Sequence, residues 1–332
     1  MHSLEKVLTV INSRSNAQTI SVAPQVIAWS AARQDIPISD FVTNGKVMAE
    51  CLLSCYQQFD YDMILVGADN SLEAETLGVQ LAYPRDNYPY VKLHLLKENM
   101  AALKLPKQGS DGRMSEVLNA AAIVRHQVDD KAALIGKVTG PMTVATQLLG
   151  LDQLLYFSMD DIRQFERLLD FCTQISLEWG MRLLSTGMHG IVLVEPVASQ
   201  AVVPPAFFSE LILPRLKEIF RNLKDMGALI RWLHITGPIQ EILRQFHILE
   251  ANLVGLDYEN SLIEALQVYP TGRFIGNIKP FTFVSGSPKE ILARASDLLN
   301  QAEGKLILSS GCELPLTAKS ELVTSLMQLS HK

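Results

Sequence analysis

The sequence predicts an eight-stranded β/α barrel, and three observations carry that expectation. Short β-rich runs alternate with longer amphipathic stretches, and the runs number eight. Most of them are nearly continuous in apolar residues, as parallel strands covered on both faces should be. No glycine-rich dinucleotide fingerprint follows the first run, which counts against an open doubly wound sheet. No boundary between two units is visible, so residues 1–332 are read as a single (β/α)8 domain.

Taken in order, the first strand is expected at Ile20–Ile27. A helix over Lys46–Phe59 follows, where Val47, Met48, Cys51, Leu52, Cys55 and Phe59 recur at helix spacing, and Met63–Val66 is the second strand. The segment before the third strand, Ala133–Val138, is too long for one crossover. It carries a polar loop, Lys107–Gly112, and a helix over Ser115–Val128; residues 79–130 are read as an insertion over the barrel mouth, able to act as a lid. A long helix, Asp160–Leu184, puts Phe165, Leu168, Leu169 and Cys172 on one face, stops near Gly187 and leads to the fourth strand, Gly190–Val194. Phe207–Met226 repeats the pattern up to Gly227, with a kink expected at Pro214, before the fifth strand at Ala228–His234. Helices over Ile239–Phe246, Leu262–Val268 and Lys289–Ala302 precede strands at Leu253–Leu256, Arg273–Ile278 and Lys305–Leu308, and Lys319–Leu329 forms the last helix.

Composition bounds the function. A hydrophobic share of 48% with 19% charged residues supports a sizeable core and excludes a disordered chain. A formal charge of −6 offers no basic footprint, which argues against nucleic acid and anionic membrane surfaces as partners. The amino terminus lacks the build of a signal peptide, and no stretch approaches the ~18 apolar residues of a membrane span. Four cysteines do not make a disulfide framework, so cytoplasmic residence is expected.

In such a barrel, polar residues just past the strand ends face a shared mouth. These are Asp69 and Asn70 after the second strand, Thr139 and Thr143 after the third, Glu195, His234, Asp257, Asn277 and, after the eighth, Cys312. Glu195, His234 and Cys312 combine a carboxylate, an imidazole and a thiolate, three good zinc ligands that would leave a fourth position open for catalysis. The thiolate favours zinc over the oxygen-seeking magnesium or calcium. Each residue also has a plainer reading. Glu195 suits a hydrogen-bonded carboxylate before Pro196, His234 a binder of substrate oxygen, and Cys312 an unliganded turn residue. Cys51, Cys55 and Cys172 read as core; His126, His189 and His247 as surface or helix-end residues; Arg231 is left open between the two layers.

With these residues in hand, the sequence resembles the uroporphyrinogen decarboxylase superfamily, and within it the corrinoid-linked methyltransferase branch. The resemblance runs through Ile64–Asp69, Thr139-Gly140-Pro141-Met142-Thr143, Glu195–Ser199, Leu233–Gly237, Gly276–Pro280 and Gly311–Thr317. It implies a barrel with zinc at its mouth, working with cobalamin carried by a separate partner protein. Thiol-methylating members show His-x-Cys after the fifth strand and a second Cys after the eighth. His234 and Cys312 match, but Thr236 stands where the first Cys should be, and Glu195 is the candidate replacement. The arginine-rich motif of the decarboxylases is missing, which puts that activity last.

The expected function is therefore methyl transfer from a donor such as an aryl methyl ether to the Co(I) of a corrinoid protein, an O-demethylation. A carboxylate in place of a thiolate would give a harder zinc, better suited to an oxygen donor. The alternative is transfer from methyl-Co(III) to a thiol or tetrahydrofolate. Asp69, Asn70, Asp257 and Asn277 are the candidate catalytic residues, expected to shape the donor pocket or protonate the leaving group.

Overall fold

A computed structural model describes residues 2–12, 19–95, 103–106 and 112–330. Ten strands occur among them: β1 (Ser21–Val22), β2 (Met63–Val66), β3 (Gln80–Ala82), β4 (Tyr90–Leu93), β5 (Ala133–Thr139), β6 (Gly190–Val194), β7 (Ile230–His234), β8 (Leu253–Leu256), β9 (Phe274–Ile278) and β10 (Leu306–Ser310). Eight of them form one sheet in the order β1-β10-β9-β8-β7-β6-β5-β2, every neighbouring pair parallel. With helices outside the strands, this is a nearly closed (β/α)8 barrel, and its eight strands are those expected from the sequence.

The seam lies between β1 and β2, and a side chain stitches it. The Asp62 backbone N–H donates to Val22 O at 2.9 Å, and the Val22 N–H donates to the Asp62 carboxylate at 2.8 Å. β1 is shorter than the expected Ile20–Ile27: beyond Ala23, the next N–H facing β10, that of Gln25, donates to the Ser310 hydroxyl and not to a backbone carbonyl. An additional helix, Ser3–Asn12, buries Val7, Val10 and Ile11 against the barrel, and Lys6 approaches the Asp62 carboxylate at 3.6 Å.

The strands are buried on both faces because helices cover them outside and side chains fill them inside. The long helix spans Ile162–Ser185, started by the Asp161 side chain accepting from Gln164 N. Pro214 breaks the next helix as expected. The chain runs Pro205–Phe207, widens to a π-turn over Phe208–Ile212, and resumes as α-helix over Leu213–Asp225, since proline cannot donate to the preceding turn. The helix expected over Ile239–Phe246 is instead a 3-10 segment, Leu243–Ile248.

Between β2 and β5, the strands β3 and β4 pair as an antiparallel hairpin. The helix Arg113–Val128 packs beside Gly45–Phe59 so closely that a Cβ on Gly45 would lie 2.1 Å from Glu116 O. That glycine is a requirement of the helix contact. Most of the polar loop Lys107–Gly112 lies outside the described residues. No helix among the described residues is long and apolar enough to cross a membrane.

Candidate active site in the barrel mouth

A cavity of about 440 Å³ opens at the carboxyl ends of the strands. Its apolar wall includes Leu65, Val192, Val194 and Trp232, inward-facing residues of β2, β6 and β7. Its polar residues include Gln25, Asp69, Asn70, Lys137, His234, Cys312 and Glu313. From the hairpin, Tyr88, Pro89, Tyr90 and Val91 complete the lining.

His234 ends β7 and is 2% exposed. Room for its ring comes from β8, where a Cβ on Gly255 would sit 2.1 Å from His234 Nδ1 and 2.9 Å from Trp232 Nε1. Trp232 meets the imidazole edge-on, ring centres 5.7 Å apart. Neither ring nitrogen has a hydrogen-bond partner among the described residues. Burial, aided by the charge of Lys137, pushes the imidazole down to about 4, so the ring is neutral near pH 7 and holds a free lone pair. A buried imidazole without partners is set up to take one from the cavity.

Cys312 follows β10, and burial pushes its thiol up, with the Glu313 charge acting in the same direction. Its Sγ lies 3.9 Å from Thr236 Oγ1. His234 and Cys312 therefore share one cavity, as the zinc expectation requires. Glu195 is placed differently. It is fully buried but outside the cavity lining, its carboxylate packed over Gly140 and turned onto the start of the helix Pro141–Leu149. Met142 N donates to it at 3.0 Å, Thr143 N at 2.7 Å, and the Thr143 hydroxyl as well. This is the plainer reading of Glu195, a hydrogen-bonded carboxylate, and burial raises it to about 7 against those donors. In this arrangement no group of three or more His, Cys, Asp or Glu side chains among the described residues is gathered to hold a metal ion.

The other four expected residues divide. Asp69 and Asn70 line the cavity. Asp69 accepts from Arg113 Nη1 at 2.6 Å, from Ser71 N at 3.0 Å and from the Ser71 hydroxyl. Burial alone would raise its carboxyl, but Arg113 and Ser71 outweigh that and hold it below the usual range. Arg113 also reaches Glu75 at 2.7 Å, so the network is an ion triad, buried at Asp69 and Arg113 and half-buried at Glu75. Asn70 accepts from Lys137 Nζ at 2.8 Å. Asp257 and Asn277 stand outside the lining and organise loops. Asp257 accepts from Gly237 N at 2.8 Å, while Asn277 donates to Asn260 O at 2.7 Å and accepts from Arg294 at 3.3 Å. Arg231, left open by the sequence, turns to Glu250 O and Ala228 O.

Among the cavity residues not singled out from the sequence are Lys137, Glu313 and Tyr88. Lys137 is a charged residue inside an otherwise apolar barrel strand, a signal that was present. Its stem packs over Gly67, and its Nζ donates to Ala68 O and Asn70. Burial holds its ammonium below the usual lysine range, against the opposing pull of Glu313, Glu73 and Asp69. Glu313, next to Cys312, accepts at Oε1 from Tyr88 Oη at 2.7 Å and from Ala28 N at 3.0 Å. Tyr88 arrives from the hairpin, and no local pattern marks it.

Eight parallel strands around a mouth cavity, lined by an unpartnered imidazole, a thiol and an ammonium, define a β/α-barrel of the enzyme type. The chain belongs to the uroporphyrinogen decarboxylase family, whose profile, described as Uroporphyrinogen decarboxylase (URO-D), matches residues 22–332. It is 25% identical over 284 residues to the methylcobamide:CoM methyltransferase MtaA of Methanosarcina barkeri, covering 83% of this chain and 81% of that one. It is also 24% identical over 294 residues to the uroporphyrinogen decarboxylase of Orientia tsutsugamushi (strain Boryong), covering 85% and 84% of the two chains. A solved methyltransferase from Methanosarcina mazei superposes with a TM-score of 0.91 at 22% identity, over 100% of this chain and 98% of that one, and shares the fold.

Proposed function

We propose that this chain is a corrinoid-protein-dependent methyltransferase and that the small molecule giving or taking the methyl group sits in the mouth cavity beside His234 and Cys312. One observation carries the reading: a buried imidazole with two unpartnered nitrogens shares a cavity with a thiol. The relatives support it, since methylcobamide:CoM methyltransferases match over about four-fifths of both chains. The cobalamin would be carried by the partner protein. Decarboxylation stands last, because the cavity is lined by one lysine and no arginine among the described residues, too little positive charge for a polycarboxylated tetrapyrrole.

Zinc is the metal implied by the resemblance. His234 and Cys312 fit it, offering a neutral imidazole nitrogen and a thiol that binding would deprotonate. Glu195 as placed does not, because Thr143 and Met142 hold both its oxygens. Zinc would be held by His234 and Cys312, with Glu195 a third ligand only after leaving those donors, and it would supply Lewis-acid stabilisation of the heteroatom bonded to the methyl group.

The direction of transfer follows from this donor set. An aryl methyl ether as donor was expected because a carboxylate ligand hardens the ion, and Glu195 is otherwise engaged. An imidazole and a thiolate alone make a softer site, which favours sulfur. We therefore put methyl transfer from the methylated corrinoid protein to a thiol first, and O-demethylation of an ether second. In either direction Asp69 and Asn70 shape the wall, while Asp257 and Asn277 position loops behind it. Residues 1–332 are taken as one domain. Tyr88–Val91 in the cavity lining support a mouth-covering role for the hairpin within 79–130, whereas the helix Arg113–Val128 belongs to the outer ring.

The test is elemental analysis of the full chain alongside methyl-transfer assays in both directions. We expect roughly one zinc per chain, lost in His234→Ala and Cys312→Ala, and thiol methylation from a methyl-Co(III) corrinoid protein. Full zinc and activity in Glu195→Gln would remove Glu195 from the site. Absence of transfer in either direction would overturn the functional reading.

A further inference from the structure

At the base of the barrel, opposite the cavity, the amino-terminal ends of β5, β6 and β7 meet around His189. The sequence suggests a surface or helix-end histidine there, yet the side chain is buried. His189 N donates to Leu134 O at 2.8 Å, and His189 O accepts from Leu229 N at 2.9 Å. These bonds fix where the ring lies, and its neighbours fix where its proton lies. Leu134 N donates to Nδ1 at 3.0 Å, and a backbone N–H can only donate, so Nδ1 carries a lone pair. The proton of the neutral imidazole is therefore on Nε2, which donates to Asp130 Oδ1 at 3.0 Å. Asp130 follows the helix Arg113–Val128, and Arg125 of that helix donates to the same oxygen at 2.7 Å. One carboxylate oxygen thus joins an outer helix to a ring held by a barrel strand.

A second proton on this ring has no acceptor. It would set an Nδ1–H against the Leu134 N–H, two donors facing each other in a buried space. The surrounding charges do not offset that cost. Asp130 favours an imidazolium, and Asp129 does so more weakly, but Arg125 opposes it from 3.3 Å and already shares the Asp130 oxygen. The strand residues Leu134, Leu229 and Ile230 carry no charge. Burial, with Arg125 added, holds the imidazole below its ordinary value.

We propose that His189 is an acid-sensitive latch, fastening the carboxyl end of the helix Arg113–Val128 to the base of the barrel and releasing it when the ring gains a proton. The same helix delivers Arg113 to Asp69 in the cavity wall, so the latch seats an element of the mouth from the opposite end. The unfolded chain binds this proton more readily than the folded one. The latch is therefore closed above the ordinary histidine value of about 6.5 and opens as pH falls below it toward the depressed folded value. None of this depends on the methyl-transfer reading.

Hydrogen exchange of the full chain, read at the Leu134 amide and corrected for the intrinsic pH dependence of exchange, tests the latch. Opening takes up one proton, so protection at Leu134 should fall reversibly by up to about tenfold per pH unit below about 6.5, while β8 and β9 stay protected. His189→Asn offers Leu134 N an amide oxygen that gains no proton, and it should flatten this profile. Nitrogen-15 spectra of the histidine rings near neutral pH should show the Nε2–H form for His189. Arg125→Met leaves the Asp130 carboxylate to the imidazole alone and should move the titration of His189 upward. Protection at Leu134 that does not change with pH, loss that is equal in all strands, an unaltered profile in His189→Asn, an Nδ1–H ring, or no upward movement in Arg125→Met overturns the proposal.

Discussion

Substituting Gly255 by alanine probes the site through a residue that contributes no functional group. The added methyl would lie 2.1 Å from His234 Nδ1, about 1.3 Å inside the 3.4 Å at which ordinary contact begins. Trp232 Nε1, at 2.9 Å, blocks a second direction, so the imidazole must turn or β8 must shift. Overpacking of this kind costs about 1–3 kcal/mol. For a chain of this size that corresponds to a fall in melting temperature of roughly 1–5 °C. Displacing a reacting group by about an ångström costs on the order of 100-fold in rate, so on the proposed reading of His234 methyl transfer should fall by about that much, and any bound zinc should fall with it. The assay is thermal unfolding with methyl transfer and metal content measured on the same preparation. A Gly255→Ala/His234→Ala double variant supplies the control. If the clash is with the imidazole, removing the ring restores most of the melting temperature that Gly255→Ala loses. Wild-type melting and activity in Gly255→Ala, or no relief in the double variant, would refute the claim that this glycine exists to seat His234.

Four further outcomes follow from the structure. Asp62→Ala should lose about 1–3 kcal/mol in urea unfolding, because the Val22 N–H at the barrel seam loses its acceptor, while Asp62→Asn keeps a carbonyl there and should recover most of it; equal stability of all three chains would show that Asp62 does not close the barrel. Arg113→Met leaves Asp69 and Glu75 without their shared partner and should cost about 3 kcal/mol. Arg113 holds Asp69 below the usual carboxylate range, so this stabilisation is present above the unfolded Asp value of about 4 and is lost as pH falls below it toward the depressed folded value; acid unfolding of Asp69→Asn should be correspondingly less steep in that window, and an unchanged slope would count against the pairing. Tyr88→Phe removes the hydroxyl that ties the hairpin to Glu313 and should speed amide hydrogen exchange across β3 and β4 while leaving the barrel strands protected; unchanged exchange there would show that the hairpin is held by other contacts.

The barrel was legible because its strands are hydrophobic on both faces, and that pattern needs only the order of residues along the chain. Leu253–Leu256 and Met63–Val66 match the structure at both ends for this reason. β1 was read too long because an apolar run does not reveal that the Gln25 N–H turns to the Ser310 side chain and leaves the ladder. His234 and Cys312 were legible because the carboxyl end of a barrel strand has a known direction, and both reach the cavity. Lys137 left a signal that composition could have supplied, a charge in the middle of an apolar strand. Tyr88 left none, since its position depends on how a hairpin lies across the mouth.

The sequence by itself determined the fold class and the set of residues that end each strand, because hydrophobic periodicity and strand polarity are local properties. Tertiary structure decided which of those residues share a space. Glu195 sits one residue beyond a strand end, as a ligand would, yet the start of the helix Pro141–Leu149 offers it Met142 N, Thr143 N and the Thr143 hydroxyl. A buried carboxylate takes the donors packed against it, and which donors those are depends on how the next β/α unit folds back over the strand.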